Sequence, residues 1–285
     1  MPELPEVETV RRGLAPTMEG FVIKRVILNR PDLRFPFPTG FIRRLEGQKI
    51  ITLNRRAKFL NAKLSSRECL LMHLGMSGRF TIHASSEAAK NRPLGHYVHD
   101  VGGISKHDHV IFEMSSGYHI IYNDPRRFGF MELVPPHTVS RLDKLGPEPL
   151  SNDCHAPYLR SRLAGRKSKI KAALLDQDII AGLGNIYVCE ALFRAGILPT
   201  RQAGDVTEDE ADCLLGHIKD VLTDAIEAGG SSLRDFAQAD GDLGYFQHQF
   251  DVYGREDEPC HICDETIIRI SQSGRSSFYC PTCQI

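Results

Sequence analysis

A chain of 285 residues with 41% hydrophobic and 25% charged side chains is sized for one or two globular domains with substantial cores. It holds no apolar run long enough for a membrane span or a signal peptide, which predicts a cytosolic protein. The formal net charge of −1 excludes a uniformly basic chain.

The charge is nevertheless segregated. Between Arg11 and Arg67 fourteen Lys/Arg face three acids (Glu19, Asp32, Glu46), and Arg160 to Lys171 adds six basic residues and no acid. Asp205 to Asp242 holds eleven acids against Lys219 and Arg234. This pattern predicts a basic face of the kind that meets nucleic acid; the plainer reading is a set of solvated faces that differ only in sign.

The chain opens Met1-Pro2-Glu3-Leu4-Pro5-Glu6. Val7, Val10, Leu14 and Met18 recur at helical spacing, so a helix is predicted from near Pro5 or Glu6. Proline and acids at a helix start are ordinary helix chemistry. A second reading is chemical. Proline at position two permits removal of Met1, which leaves a secondary amine. An α-amino group titrates near 7.7–8.0, against about 10.4 for lysine, so it is a neutral nucleophile at physiological pH. Such an amine attacks a sugar or carbonyl carbon, and Glu3 is placed to supply a proton.

Short apolar runs follow at 21–23, 49–53, 68–72, 109–112 and 119–122, bounded by Gly, Ser, Asn or Pro. They predict a β-sandwich or barrel. Residues 84–106 lack periodicity, contain Pro93, Gly95 and Gly102-Gly103, and read as a long loop. Pro135-Pro136 and Leu145-Gly146-Pro147-Glu148-Pro149 mark a hinge, after which the period becomes helical: 158–163, 170–175, 186–195 and 207–227. Thr207 with Glu210 is a capping-box start, and Gly229-Gly230 closes that helix. The last forty residues read as short strands around cysteine pairs.

Cys69, Cys154, Cys189 and Cys213 are scattered and read as buried small residues. Cys260-x2-Cys263-x16-Cys280-x2-Cys283 is different: this spacing predicts a tetrahedral thiolate site for one structural Zn2+, with no position left open for catalysis. Arg275 lies between the pairs, where a hairpin tip offers it either to a phosphate or to solvent. Gly182-Leu183-Gly184-Asn185-Ile186-Tyr187 reads as a tight interhelical turn with Asn185 as cap, and a helix start there suits a phosphate, with Lys171 adding charge. His73-Leu74-Gly75-Met76-Ser77-Gly78 and Asn123-Asp124-Pro125-Arg126-Arg127-Phe128-Gly129 read as turns that each expose a large apolar side chain, either core residues or wedges for a base stack. His96, His99, His107, Asp108 and His109 match no ligand spacing and read as strand-start residues. Lys58 reads as a phosphate contact.

Taken together these motifs resemble the bacterial formamidopyrimidine-DNA glycosylases. The resemblance runs through PELPEVETVRRGL, RRAKFL, HLGMSG, KHDHV, DPRRFG, LGPEPL, IKAALLDQ, GLGNIYVCEALF, GYFQHQFDVYGRE and the four-cysteine finger, in that order over nearly the whole chain. It implies an α+β fold: an N-terminal helix with a two-layer β-sandwich over 1–134, a hinge over 135–150, a helix-two-turn-helix domain with a lesion-reading loop over 151–244, and a zinc β-hairpin over 245–285. It also implies excision of oxidised purines (8-oxoguanine, formamidopyrimidines) from double-stranded DNA by a monomeric cytoplasmic, nucleoid-associated enzyme, then cleavage of the abasic strand by β,δ-elimination.

By motif, Pro2 matches the nucleophile, Glu3 the acid that opens the sugar, and Glu6 a supporting carboxylate. Lys58, counted with this catalytic group, matches a phosphate-contacting position, as do His73, Lys171, Asn185 and Arg275. Met76, Arg126 and Phe128 match the triad that fills the gap left by a flipped nucleotide. Two departures are visible: the 84–106 loop is longer than the family's, and Arg234 stands where lysine is often seen. The sister endonuclease VIII type begins Pro-Glu-Gly-Pro, so Leu4 speaks against oxidised pyrimidines as substrates. A non-catalytic zinc-ribbon DNA-binding protein is the rival from another class, and it has no need of a free Pro2.

Overall fold

The computed structural model describes residues 1–84, 106–231 and 249–285. The chain divides into two compact units: Met1–Ser140 with a return segment from Gly229, and Arg141–Ala228 with the C-terminal segment.

The first unit begins with helix α1 (Leu4–Met18). Among the described residues eight strands follow: β1 (Ile23–Leu28), β2 (Ile50–Arg56), β3 (Phe59–Leu64), β4 (Cys69–His73), β5 (Arg79–Ala84), β6 (Asp108–Met114), β7 (Tyr118–Asn123) and β8 (Phe130–Val134). They form two antiparallel four-stranded sheets in the orders β1-β6-β7-β5 and β2-β3-β4-β8. A five-residue helix α2 (Phe41–Leu45) sits between β1 and β2.

Period-two burial explains the layers. Leu60, Ala62 and Leu64 of β3 point inward, as do Phe80 and Ile82 of β5 and Tyr118, Ile120 and Tyr122 of β7, and all join one core. Val7, Val10, Leu14 and Met18 of α1 enter the same core. Glu8 ties α1 to β2 by accepting from Arg11, Arg12 and Arg55. Burial opposes ionisation of Glu8, but the Arg11 and Arg12 hydrogen bonds outweigh it and hold the carboxyl below its ordinary range.

The second unit comprises α3 (Ala156–Leu163), α4 (Ile170–Leu174), α5 (Asn185–Arg194), a 3-10 turn (Ala203–Asp205), α6 (Glu208–Glu227), and a hairpin of β9 (Ile268–Gln272) and β10 (Arg275–Tyr279). The capping box expected at Thr207 and Glu210 starts α6, whose buried stripe runs Ala211, Leu214, Leu215, Ile218, Val221, Leu222 and Ala225. Cys189 and Phe193 of α5 pack with Val252, Ile267 and Phe278 around Cys260 and Cys280. The molecule is thus α+β, with the sandwich, the helical segment and the C-terminal hairpin that the sequence predicted.

Several local expectations change. The first helix starts at Leu4, one residue before Pro5, with Glu3 as its cap. The cap of α5 is Gly184, and Asn185 is already helical. Strands β3, β5 and β8 and helix α2 were not foreseen. The expected loop at 84–106 falls almost wholly outside the described residues, as do His96, His99, Arg234 and most of the expected lesion-reading loop.

Candidate active site and nucleic-acid interface

In the first unit Met1 is exposed, Pro2 is buried and Glu3 is only 3% exposed, so the chain is inside the fold from its second residue. Glu6 fixes it there. Its Oε2 accepts the Glu3 N–H at 2.8 Å, and the Glu3 side chain in turn accepts the Glu6 backbone N–H in a capping box. Glu6 Oε1 accepts the Ser231 N–H at 2.8 Å and the Ser231 hydroxyl at 3.0 Å. One buried carboxylate therefore grips both the terminus and the segment that leads on from α6. Gly230 makes this approach possible: its φ is +83°, and a Cβ there would come within 3.2 Å of Glu6 Oε1. The sequence suggested Gly229-Gly230 only as a helix stop, and Ser231 carried no signal as a partner of Glu6. With Met1 in place, the Pro2 nitrogen is part of a peptide bond.

Lys58 occupies the two-residue turn between β2 and β3, where Ala57 adopts φ +53°. It is 7% exposed, so this charge is turned away from solvent. His73 ends β4. Its ring stacks on Phe130 (centroids 5.3 Å apart, 11° between planes), and Nδ1 accepts the Gly75 N–H at 3.0 Å. The neutral ring consequently carries its proton on Nε2.

Beyond His73 the turn carries Met76, half-buried, and the turn after β7 carries Arg126 and Phe128, both exposed. The Arg126 guanidinium lies over the Phe128 ring at 4.9 Å from its centroid, a cation–π contact. The two turns meet backbone to backbone, since a Cβ on Gly75 would lie 2.4 Å from Gly129 N. Beside them a cavity of about 380 Å3 is lined by Leu33, Arg34, Arg126, Arg127 and Phe128. Arg34, which donates its N–H to Gly129 O at 3.0 Å, was missed from sequence because nothing local marks it. His107 and Asp108 belong to the base of the second turn: the Asp124 N–H donates to His107 O, and Asn123 Nδ2 donates to Asp108 Oδ1.

In the second unit Lys171 is bonded within the protein: it is 1% exposed, and its ammonium donates to Ser276 O at 2.6 Å and Ser277 Oγ at 2.7 Å. Asn185 Nδ2 donates to the same Ser276 carbonyl at 2.9 Å, which explains why Asn185 does not cap its helix. Both side chains thus hold β10. Arg275 begins that strand, exposed, after a turn in which Ser273 (φ +50°) and Gly274 (φ +75°) are both left-handed, the geometry of a type I′ hairpin.

The Sγ atoms of Cys260, Cys263, Cys280 and Cys283 all lie within 4.8 Å of one another. Separations of 3.4 Å (Cys263–Cys280, Cys263–Cys283) and 3.9 Å (Cys260–Cys283) bracket the edge of about 3.8 Å expected for sulfurs about 2.3 Å from a tetrahedral zinc. Four thiolates fill such an ion's coordination, so its chemistry is structural.

Family models match three stretches: the formamidopyrimidine-DNA glycosylase N-terminal domain over residues 1–131, the H2TH domain of the same enzymes over 145–237, and the zinc finger found in FPG and IleRS over 257–285. A formamidopyrimidine-DNA glycosylase of Ruegeria pomeroyi is 59% identical over the whole of both chains, and one of Rhodopseudomonas palustris 53% identical, again end to end. Among solved structures, the MutM (Fpg) protein of Thermus thermophilus is similar with a TM-score of 0.85 and 37% identity, covering 99% of this chain and 98% of that one. The complex of Lactococcus lactis Fpg with abasic-site DNA is similar with a TM-score of 0.87 and 33% identity, covering 99% of each chain. The four-cysteine cluster is accordingly a structural zinc site, and the chain belongs to the formamidopyrimidine-DNA glycosylase family.

Proposed function

We propose that Pro2, freed of Met1, is the nucleophile with which this glycosylase excises oxidised purines from double-stranded DNA and then cuts the abasic strand. The single observation that carries the reading is the burial of Pro2 and Glu3 at the head of α1, fixed by Glu6. A terminus kept merely as a helix start has no need of burial.

The Pro2 nitrogen attacks C1′ of the damaged nucleotide, the bond from C1′ to the base breaks with its electrons leaving on the base, and the proton lost from the Pro2 nitrogen neutralises the departing base. Glu3 delivers a proton to the ring oxygen, the sugar opens, and the nitrogen lone pair forms an iminium with C1′. That cation acidifies the C2′ proton. Its removal expels the 3′ phosphate, and a second elimination expels the 5′ phosphate. Water releases the sugar fragment and returns the Pro2 amine. Lys58 and the Nε2–H of His73 are suited to phosphate oxygens near this site, and Arg275 to phosphate further along. Met76, Arg126 and Phe128 fill the vacated stack, offsetting the cost of extruding the base. Cys260, Cys263, Cys280 and Cys283 hold the zinc that fixes the hairpin, and no reaction step passes through it.

The same reading assigns catalysis to 1–134 and DNA binding to 151–244 and 245–285 across a 135–150 hinge, in a monomer acting on nucleoid DNA in the cytoplasm. No helix among the described residues is long and apolar enough to cross a membrane. Borohydride trapping on an 8-oxoguanine duplex tests the proposal: protein lacking Met1 forms a covalent adduct and protein that retains Met1, whose Pro2 nitrogen is in a peptide bond, does not. No adduct from protein lacking Met1 refutes it. Parallel excision assays on 8-oxoguanine and thymine glycol test the purine preference.

A further inference from the structure

We infer that Ser77, Asp124 and the Tyr122 hydroxyl form an internal latch that joins the two wedge-bearing turns, so that Met76 enters the base stack as one body with Arg126 and Phe128. The inference rests on the proposed wedge role of those three side chains and adds the residues that make them act together.

Asp124 is fully buried. Its Oδ1 accepts the Ser77 hydroxyl at 2.7 Å from the first turn, and its Oδ2 accepts the Gly129 N–H at 2.9 Å and the Tyr122 hydroxyl at 3.2 Å. Ser77 Oγ in turn accepts the Arg126 N–H at 3.1 Å. One hydroxyl on the Met76 turn is therefore bonded to both the carboxylate and the backbone of the Arg126 turn. The Asp124 carbonyl accepts from the Arg127 N–H at 3.2 Å and from His109 Nε2 at 2.9 Å, which anchors the hub to β6.

Residues 125–128 are exposed between two buried anchors, Asp124 and Gly129. There is no slack between the turns. A Cβ on Gly78 would sit 2.4 Å from the Tyr122 hydroxyl oxygen, and one on Gly129 would sit 1.8 Å from it.

A buried carboxylate is costly unless every donor it meets is well aimed, so this hub is an expensive way to close two loops that need only to close. It is suited to a different demand. Three independent side chains inserting into a duplex each lose their own freedom at the moment of binding, whereas three set on one rigid body lose it once. None of the latch residues needs to touch DNA. They are positioning residues.

The test compares S77A and Y122F, each lacking one hydroxyl, with M76A, F128A and the double variant M76A/F128A. Two readouts are taken from protein lacking Met1: single-turnover excision of 8-oxoguanine from duplex, and borohydride trapping on an abasic single strand, which has no stack to open. S77A and Y122F are expected to slow duplex excision about tenfold, roughly 1.4 kcal/mol of transition-state stabilisation, while single-strand trapping stays within about twofold. M76A and F128A are expected to be non-additive in the parent protein and additive in the S77A background. Duplex excision unchanged in S77A and Y122F, or lost in parallel with single-strand trapping, overturns the latch, as does coupling that survives S77A. If M76A itself leaves duplex excision untouched, the wedge reading fails first; if M76A is slow and S77A is not, only the latch fails.

Discussion

Substituting Lys171 by methionine separates two roles that a basic residue can play here. Methionine keeps the length and apolar bulk of the side chain and removes the charge and its donors. The lost bonds, to Ser276 O at 2.6 Å and Ser277 Oγ at 2.7 Å, are charge-assisted and nominally contribute about 1.5–3 kcal/mol each. Two effects reduce the net loss. Desolvation of the buried ammonium is relieved, and Ser276 O keeps its bond from Asn185 while Ser277 Oγ keeps its own to Gln272. A net destabilisation of about 2–4 kcal/mol remains, enough to lower the unfolding temperature by an amount on the order of 10 °C. Calorimetry of K171M provides that number.

Salt titration of DNA binding provides the discriminating one. Loss of a phosphate contact reduces the slope of log K against log salt by about 0.9. R275A is expected to show that reduction. In the R275A background, K171M should lower affinity without changing the slope further, because its charge faces β10. A further drop of about 0.9 would place Lys171 on a phosphate and refute the positioning role.

Protein that retains Met1 should bind lesion duplex yet give no borohydride adduct, with mass spectrometry of the N-terminus identifying the active fraction; trapping by the Met1 form would remove the Pro2 amine from the mechanism. Glu3→Gln should keep lesion binding and lose base excision, and retained turnover would remove Glu3. Chelation of zinc should expose the amides of β9 and β10 to hydrogen exchange while those of β3 and β6 stay protected, because the metal energy is local to the finger; loss of protection in the sandwich would contradict that. Glu190 is fully buried, and burial pushes its carboxyl up to about 7 despite the N–H groups of Asp251, Val252 and Tyr253 that it accepts. A raised acid pKa means the unfolded chain releases its proton first, so the Glu190 contribution to stability falls as pH rises from about 4.5 to about 7, by about 3 kcal/mol in all. Stability of the parent protein relative to E190Q, followed by denaturant melts across that window, should decline with that sign; a flat difference refutes it.

Local patterns carried much of this molecule. The cysteine spacing gives its own geometry, because two Cys-x2-Cys pairs can only converge on one ion. The Thr207–Glu210 capping box and the 3.6-residue stripe after it gave α6, because both act within one or two turns of chain. Strands with unbroken apolar runs, such as β7, were legible for the same reason. Strand β3 carries the alternation Leu60-Asn61-Ala62-Lys63-Leu64 of a half-buried strand, a signal present in the chain that a reading for unbroken apolar runs passes over.

What the sequence determined by itself was a set of chemical possibilities: a terminus able to become an amine, thiolates spaced for zinc, and a run of motifs that fixes the family. It could not say which polar groups are bonded to distant parts of the protein. Lys171 and Asn185 are polar residues near a glycine turn, and only the docking of β10, 105 and 91 residues further along the chain, gives each its partner. Ser77, Asp124 and Ser231 look like ordinary turn residues until the sandwich closes and brings each against its partner. The reason is physical: a hydrogen bond between distant segments leaves no trace in either one, because its free energy depends on burial and alignment that only the folded chain supplies.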